Sequence, residues 1–116
     1  MHKPNILFLC TVNRMRSATA ERVYANDERF HVDSAGTDPS ANVQVEEHQL
    51  EWADVVVVME AMHRRKLKQM FPYLFPSLRI VCLHIPDDYG FMEPALVDVL
   101  REKFEHVYQT EILSLS

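Results

Sequence analysis

A cysteine at position 10 and an arginine at position 16 are separated by five residues, and a serine follows the arginine. The segment reads Cys10-Thr11-Val12-Asn13-Arg14-Met15-Arg16-Ser17. Five intervening residues are enough to loop a backbone around one phosphate. The N–H groups at the start of a helix are unpaired and the helix dipole adds positive potential, so such a place binds anions. The same field favours a thiolate over a thiol. Arg16 brings a planar fork that can grip two phosphate oxygens. The expected chemistry is attack of the Cys10 sulfur on phosphorus, with Arg16 and the amides of Thr11, Val12, Asn13, Arg14, Met15 and Arg16 stabilising the equatorial oxygens. The competing reading makes Cys10 a buried strand-end thiol and Arg16 a surface side chain. A second polar cluster, Asp87-Asp88-Tyr89, could supply a general acid, or could simply be a turn before Gly90.

Both clusters need elements to hold them. Residues 5–10 (NILFLC) read as a buried first strand and 17–26 as a helix with Ser17 at its N-cap. Residues 30–34 alternate like a strand, 37–45 read as a loop, and 46–52 as a short helix. Residues 54–59 (DVVVVM) read as a central strand buried on both faces, 61–70 as a helix, and 79–84 as a fourth strand. After a turn at 86–90, Pro94 suits the first position of a final helix striped by Leu96, Leu100, Phe104, Val107 and Tyr108. Strands alternating with helices predict one α/β domain over residues 1–116 with a parallel sheet. Ligands in such sheets bind beyond the carboxyl ends of the strands. The two polar clusters follow the first and fourth strands directly.

Composition narrows the classes. With 47% hydrophobic and 25% charged residues the chain reads as soluble and globular. A net charge of -5 argues against general nucleic-acid affinity. The longest apolar run, 55–59, is too short to span a bilayer, and the polar start, 1–5, does not read as a signal peptide. Two cysteines without a secretory signal point to free thiols and a cytoplasmic location. Among the six histidines, His2, His31, His48, His63, His84 and His106, none stands at metal-ligand spacing, so neither a metal nor another cofactor is expected. The basic run from His63 to Lys68 reads as a solvated helical face. Cys82 reads as a core residue of the fourth strand.

At the cysteine loop the chain resembles the low-molecular-weight protein tyrosine phosphatase family, which opens with a hydrophobic strand, a cysteine, five residues, an arginine and a serine. Asn13 matches that family's asparagine three places after the cysteine. The likeness continues through Ser17-Ala18-Thr19-Ala20-Glu21, Asp33-Ser34-Ala35-Gly36-Thr37, the stretch from Ala53 to Glu60, and Ile85-Pro86-Asp87-Asp88-Tyr89. It implies a flavodoxin-like three-layer sandwich with a four-stranded parallel sheet in the order 2-1-3-4. In that order the Cys10 and Cys82 strands lie two positions apart, about 9–10 Å, beyond the roughly 7 Å a disulfide can span.

The resemblance also implies a phosphomonoester hydrolase, phosphotyrosine being the leading substrate class and phosphoarginine or a small metabolite ester the others. Its catalytic residues would be Cys10, Arg16 and Asp87, with Asp88 the other candidate acid because the family's proline after the acid is absent. Ser17 and Ser34 would brace the loop, Tyr89 would wall the substrate or pack over the final helix, and Glu60 would orient Arg16 or serve only as a helix-start acid. Departures are Val12 in place of a small residue, Met15 where many relatives have a second cysteine, an unusual Arg14, and a short link between Thr37 and the third strand. The partner is a phosphorylated protein or small phosphomonoester; the oligomeric state is open. Three other functions compete. An arsenate reductase needs more cysteines than Cys82 supplies. A cysteine phosphocarrier has no need of Arg16 or the acid pair. A non-catalytic phosphate-binding module would keep the loop alone.

Overall fold

The computed structural model describes residues 3–115, so His2 and the start of the polar N-terminal segment lie outside it. The strands are β1 (Asn5–Cys10), β2 (His31–Gly36), β3 (Val55–Val58) and β4 (Ile80–Cys82). The principal helices are α1 (Arg16–Tyr24), α2 (Glu47–Trp52), α3 (Ala61–Met70) and α4 (Pro94–Val107). All strand pairs are parallel, and the sheet order is β2-β1-β3-β4, as the resemblance implied. Register places Cys10 beside Gly36, Leu9 beside Val58, and Val58 beside Cys82, so all four strands end at one edge.

Side-chain alternation divides the core. Ile6, Phe8, Cys10, Val55 and Val57 face Ala20 and Tyr24 of α1 and Leu96, Leu100 and Phe104 of α4. Leu7, Leu9, Val56 and Val58 face Leu50 of α2 and Leu67 of α3. Burial on both faces explains why the central strands read as unbroken apolar runs. The stripe expected on the last helix is buried throughout.

Several boundaries differ from the sequence reading. The first helix begins at Arg16 and ends at Tyr24; Met15 is its N-cap, and Ser17 makes no cap. The second strand runs on to Gly36 because Ala35 and Gly36 pair with Leu9 and Cys10. The third strand is trimmed to Val55–Val58. The fourth is only Ile80–Cys82: it has one neighbour, and His84 takes a left-handed φ of 55° that ends the extended chain. Cys82 on this edge strand is half-buried, not a core residue.

Candidate active site

The segment after β2 fixes how the cysteine loop presents its backbone. The N–H groups of Thr37, Asp38 and Asn42 donate to the carbonyls of Cys10, Thr11 and Val12, each at 3.0 Å. In a trans peptide the N–H points opposite to its C=O. Holding three carbonyls outward therefore turns the N–H groups of Thr11, Val12 and Asn13 inward. Among the described residues, no protein acceptor takes the N–H groups of Val12 or Asn13. Asn13 adopts the left-handed φ of 55° that the turn requires and that asparagine tolerates. The short 37–45 link thus forms the outer support of the loop.

Behind the sulfur runs a directed chain of hydrogen bonds. Cys10 is 2% exposed, and its Sγ lies 2.9 Å from Ser17 Oγ. Asn13 Nδ2 donates to Ser17 Oγ at 2.8 Å and to Ser34 Oγ at 2.9 Å, using one proton for each. Ser34 in turn donates to the Glu21 carboxylate. Ser17 has its own proton for Cys10 Sγ or, at 3.3 Å, for the Ala35 carbonyl. A thiolate is the stronger acceptor of the two. Glu21 entered the sequence reading only as part of the helix start; its spacing of four from Ser17, on the same helix face, was the available signal.

Arg16 is 2% exposed. Its Nη1 donates to the Glu60 carboxylate and, at 2.8 Å, to the Ile85 carbonyl. Among the described residues its buried Nε has no hydrogen-bond partner, and Asp87 Oδ1 stands 3.8 Å from it. A buried unmet donor costs roughly 1–3 kcal/mol. The surface reading of Arg16 is excluded, and Glu60 does more than start a helix.

His63 belongs to the site, although its sequence context reads as a solvated basic face. It is 1% exposed. Glu60 N–H donates to His63 Nδ1 at 3.0 Å in a capping-box arrangement, and His63 Nε2 lies 3.0 Å from Thr11 Oγ1. Burial, and secondarily the Arg16 charge, push its pKa down to about 4, so the ring is neutral near pH 7. The spacing of four between His63 and buried Leu67 was the signal that this position faces inward.

The remaining candidates spread around this centre. Asp87 and Asp88 are exposed, and Asp87 is the one paired with Arg16. Tyr89 is half-buried and packs against the α1–α4 side of the core. Arg14 is exposed, its Nε and Nη2 held at 3.1 Å by Asn42 Oδ1 and the Ser40 carbonyl. Val12 and Met15 are half-buried. A cleft of about 230 Å³ adjoins the loop, lined by Thr11, Thr37, Asp38, Met62, His63 and Lys66. Each of the four strand ends contributes: the cysteine loop after β1, its support after β2, Glu60 and His63 after β3, Ile85 and Asp87 after β4.

Solved structures share this architecture. Vibrio vulnificus Wzb in complex with benzylphosphonate is 21% identical, with 93% of this chain and 99% of that one covered, at a TM-score of 0.73. The tyrosine phosphatase Wzb from Escherichia coli K30, in complex with phosphate, is 19% identical over 89% and 88%, at 0.70. The YwlE arginine phosphatase from Geobacillus stearothermophilus is 20% identical over 93% and 97%, at 0.65. The sequence matches no protein-family model and no curated protein. The chain has the flavodoxin-like α/β fold found in low molecular weight protein tyrosine phosphatases.

Proposed function

We propose that this protein is a cysteine-dependent phosphomonoester hydrolase of the low molecular weight tyrosine phosphatase type. The observation that carries the reading is a set of unmet donors within the loop segment that runs from Cys10 to Arg16. Among the described residues the buried Arg16 Nε and the Val12 and Asn13 amides have no acceptor, and a phosphate would satisfy both. Cys10 Sγ attacks phosphorus, a sulfur–phosphorus bond forms, and the bond to the leaving oxygen breaks. Asp87 gives its proton to that oxygen. Water then attacks the cysteinyl phosphate, Asp87 takes a proton back, and inorganic phosphate leaves. Arg16 and the loop amides stabilise the equatorial oxygens in both steps.

The substrate class is a phosphorylated protein or small phosphomonoester, phosphotyrosine first. The neighbour that is an arginine phosphatase supports testing phosphoarginine beside it. The two thiols are free, which suits a cytoplasmic protein, and no described helix is long and apolar enough to cross a membrane. The test is hydrolysis of p-nitrophenyl phosphate at pH 5 to 7 with EDTA present. Turnover that vanadate inhibits and Cys10→Ser abolishes is the expected result. No turnover from folded, reduced protein rejects the reading.

A further inference from the structure

The hydrogen-bond pattern around His63 settles where its proton lies. Nδ1 accepts the Glu60 N–H, so it carries a lone pair. A neutral imidazole then has its proton on Nε2, the nitrogen 3.0 Å from Thr11 Oγ1. Thr11 must accept this bond, which leaves its own hydroxyl proton uncommitted. Thr11 is otherwise fixed: it follows Cys10 directly, and Asp38 N–H pins its carbonyl at 3.0 Å. Both Thr11 and His63 line the cleft beside the loop. Through Glu60, the start of α3 therefore touches the loop at both ends, at Thr11 by the imidazole and at Arg16 by the carboxylate.

We propose that His63 is a positioning residue: by donating to Thr11 Oγ1 it fixes the Thr11 hydroxyl as a hydrogen-bond donor to a phosphoester seated over the loop. The inference rests on the phosphatase reading above. The Glu60 N–H selects this tautomer, and the ring stays neutral although charged groups lie near it. Arg16 opposes a second proton, Glu60 and Asp87 favour it, and burial decides for the neutral form.

Two measurements test the inference. In a nitrogen-15 correlation spectrum of the wild type, His63 should carry its proton on Nε2; a proton on Nδ1 overturns the inference whatever the activity. In kinetics with p-nitrophenyl phosphate, His63→Asn keeps an acceptor for Glu60 N–H but cannot reach Thr11. It should weaken inhibition by inorganic phosphate and lower kcat/KM by about tenfold, the size of one lost hydrogen bond. Thr11→Val should do the same, Thr11→Ser should lose less, and His63→Gln should recover part of what His63→Asn loses. The double variant His63→Asn/Thr11→Val should be no worse than either single one, because the two residues act as a unit. A His63→Asn enzyme equal to an active wild type, or losses that multiply, overturns the inference and leaves the phosphatase reading standing. An inactive wild type overturns the phosphatase reading and this inference with it.

Discussion

Arg16 Nε and Asp87 Oδ1 lie 3.8 Å apart, a buried guanidinium edge beside an exposed carboxylate. Under the proposed function the pairing favours Asp87 over its neighbour Asp88 as the general acid, because it brings one carboxyl beside Arg16. Asp87→Asn should lower kcat by about 10²–10⁴-fold on phenyl phosphate, whose leaving group needs the proton. The loss should be smaller on p-nitrophenyl phosphate, whose leaving group departs more readily as an anion. Asp88→Asn should stay near wild type on both. Equal losses in the two variants would remove the assignment.

Gly36 tests how tightly the cysteine loop is supported. A Cβ placed there would come within 2.6 Å of the Thr11 carbonyl oxygen and of Ala41 Cβ, and 3.1 Å from the Asn13 nitrogen. These are largely backbone atoms, so the loop itself must shift. Gly36→Ala should weaken phosphate binding and reduce kcat together, and lower stability by about 1–3 kcal/mol. Phosphate titration and thermal unfolding measure both. An unchanged phosphate affinity would show that the cradle is looser than described.

The same geometry shows what the sequence could and could not convey. The buried strands were legible because apolar runs between turn signals have few other uses, and the nearness of Arg16 to Asp87 was legible because strand ends meet at one edge. Ser17 looked like a cap, yet Met15 holds that position and the Ser17 hydroxyl serves Cys10 and Asn13. The fourth strand lost its end to the His84 backbone, which no local pattern announces. His63 was hidden by the charges that follow it. Its contact with Thr11 joins residues far apart in the chain, and only the spacing to Glu60 and Leu67 hinted at it.

Burial of neutral His63 makes stability depend on pH. Its folded pKa, about 4, lies below the usual 6.5, so between these values the unfolded chain binds the proton more readily. Stability should therefore fall as pH drops from about 6.5 towards 4, by an amount on the order of 3 kcal/mol from this group alone. Denaturant unfolding at several pH values measures the slope, and His63→Asn should flatten it. A slope identical in the variant would assign the effect to other groups.

Arg29 ties the turn before β2 to α4. Its Nη1 and Nη2 donate to the two Glu105 oxygens at 2.8 and 2.9 Å, its Nε and Nη2 donate to Asp27, and its guanidinium lies 4.4 Å from the Tyr108 ring centroid. These hydrogen bonds hold both carboxyls below the usual range. A lysine cannot reproduce the fork. Because the network is partly exposed, Arg29→Lys should cost only about 1 kcal/mol in chemical unfolding near pH 7. The difference from wild type should shrink in acid, as the paired carboxylates are protonated through their lowered folded pKa values.

The central claim is a phosphoryl group carried on Cys10 sulfur. The most direct measurement is mass spectrometry of the Asp87→Asn variant, quenched in acid during turnover of p-nitrophenyl phosphate and digested. In the proposed mechanism Asp87 takes the proton from the water that cleaves the intermediate, so the variant should accumulate it. The account predicts one added phosphoryl group on the peptide containing Cys10, absent when Cys10→Ser is introduced as well. Steady turnover with that peptide unmodified, or with the phosphoryl group on another residue, would contradict it.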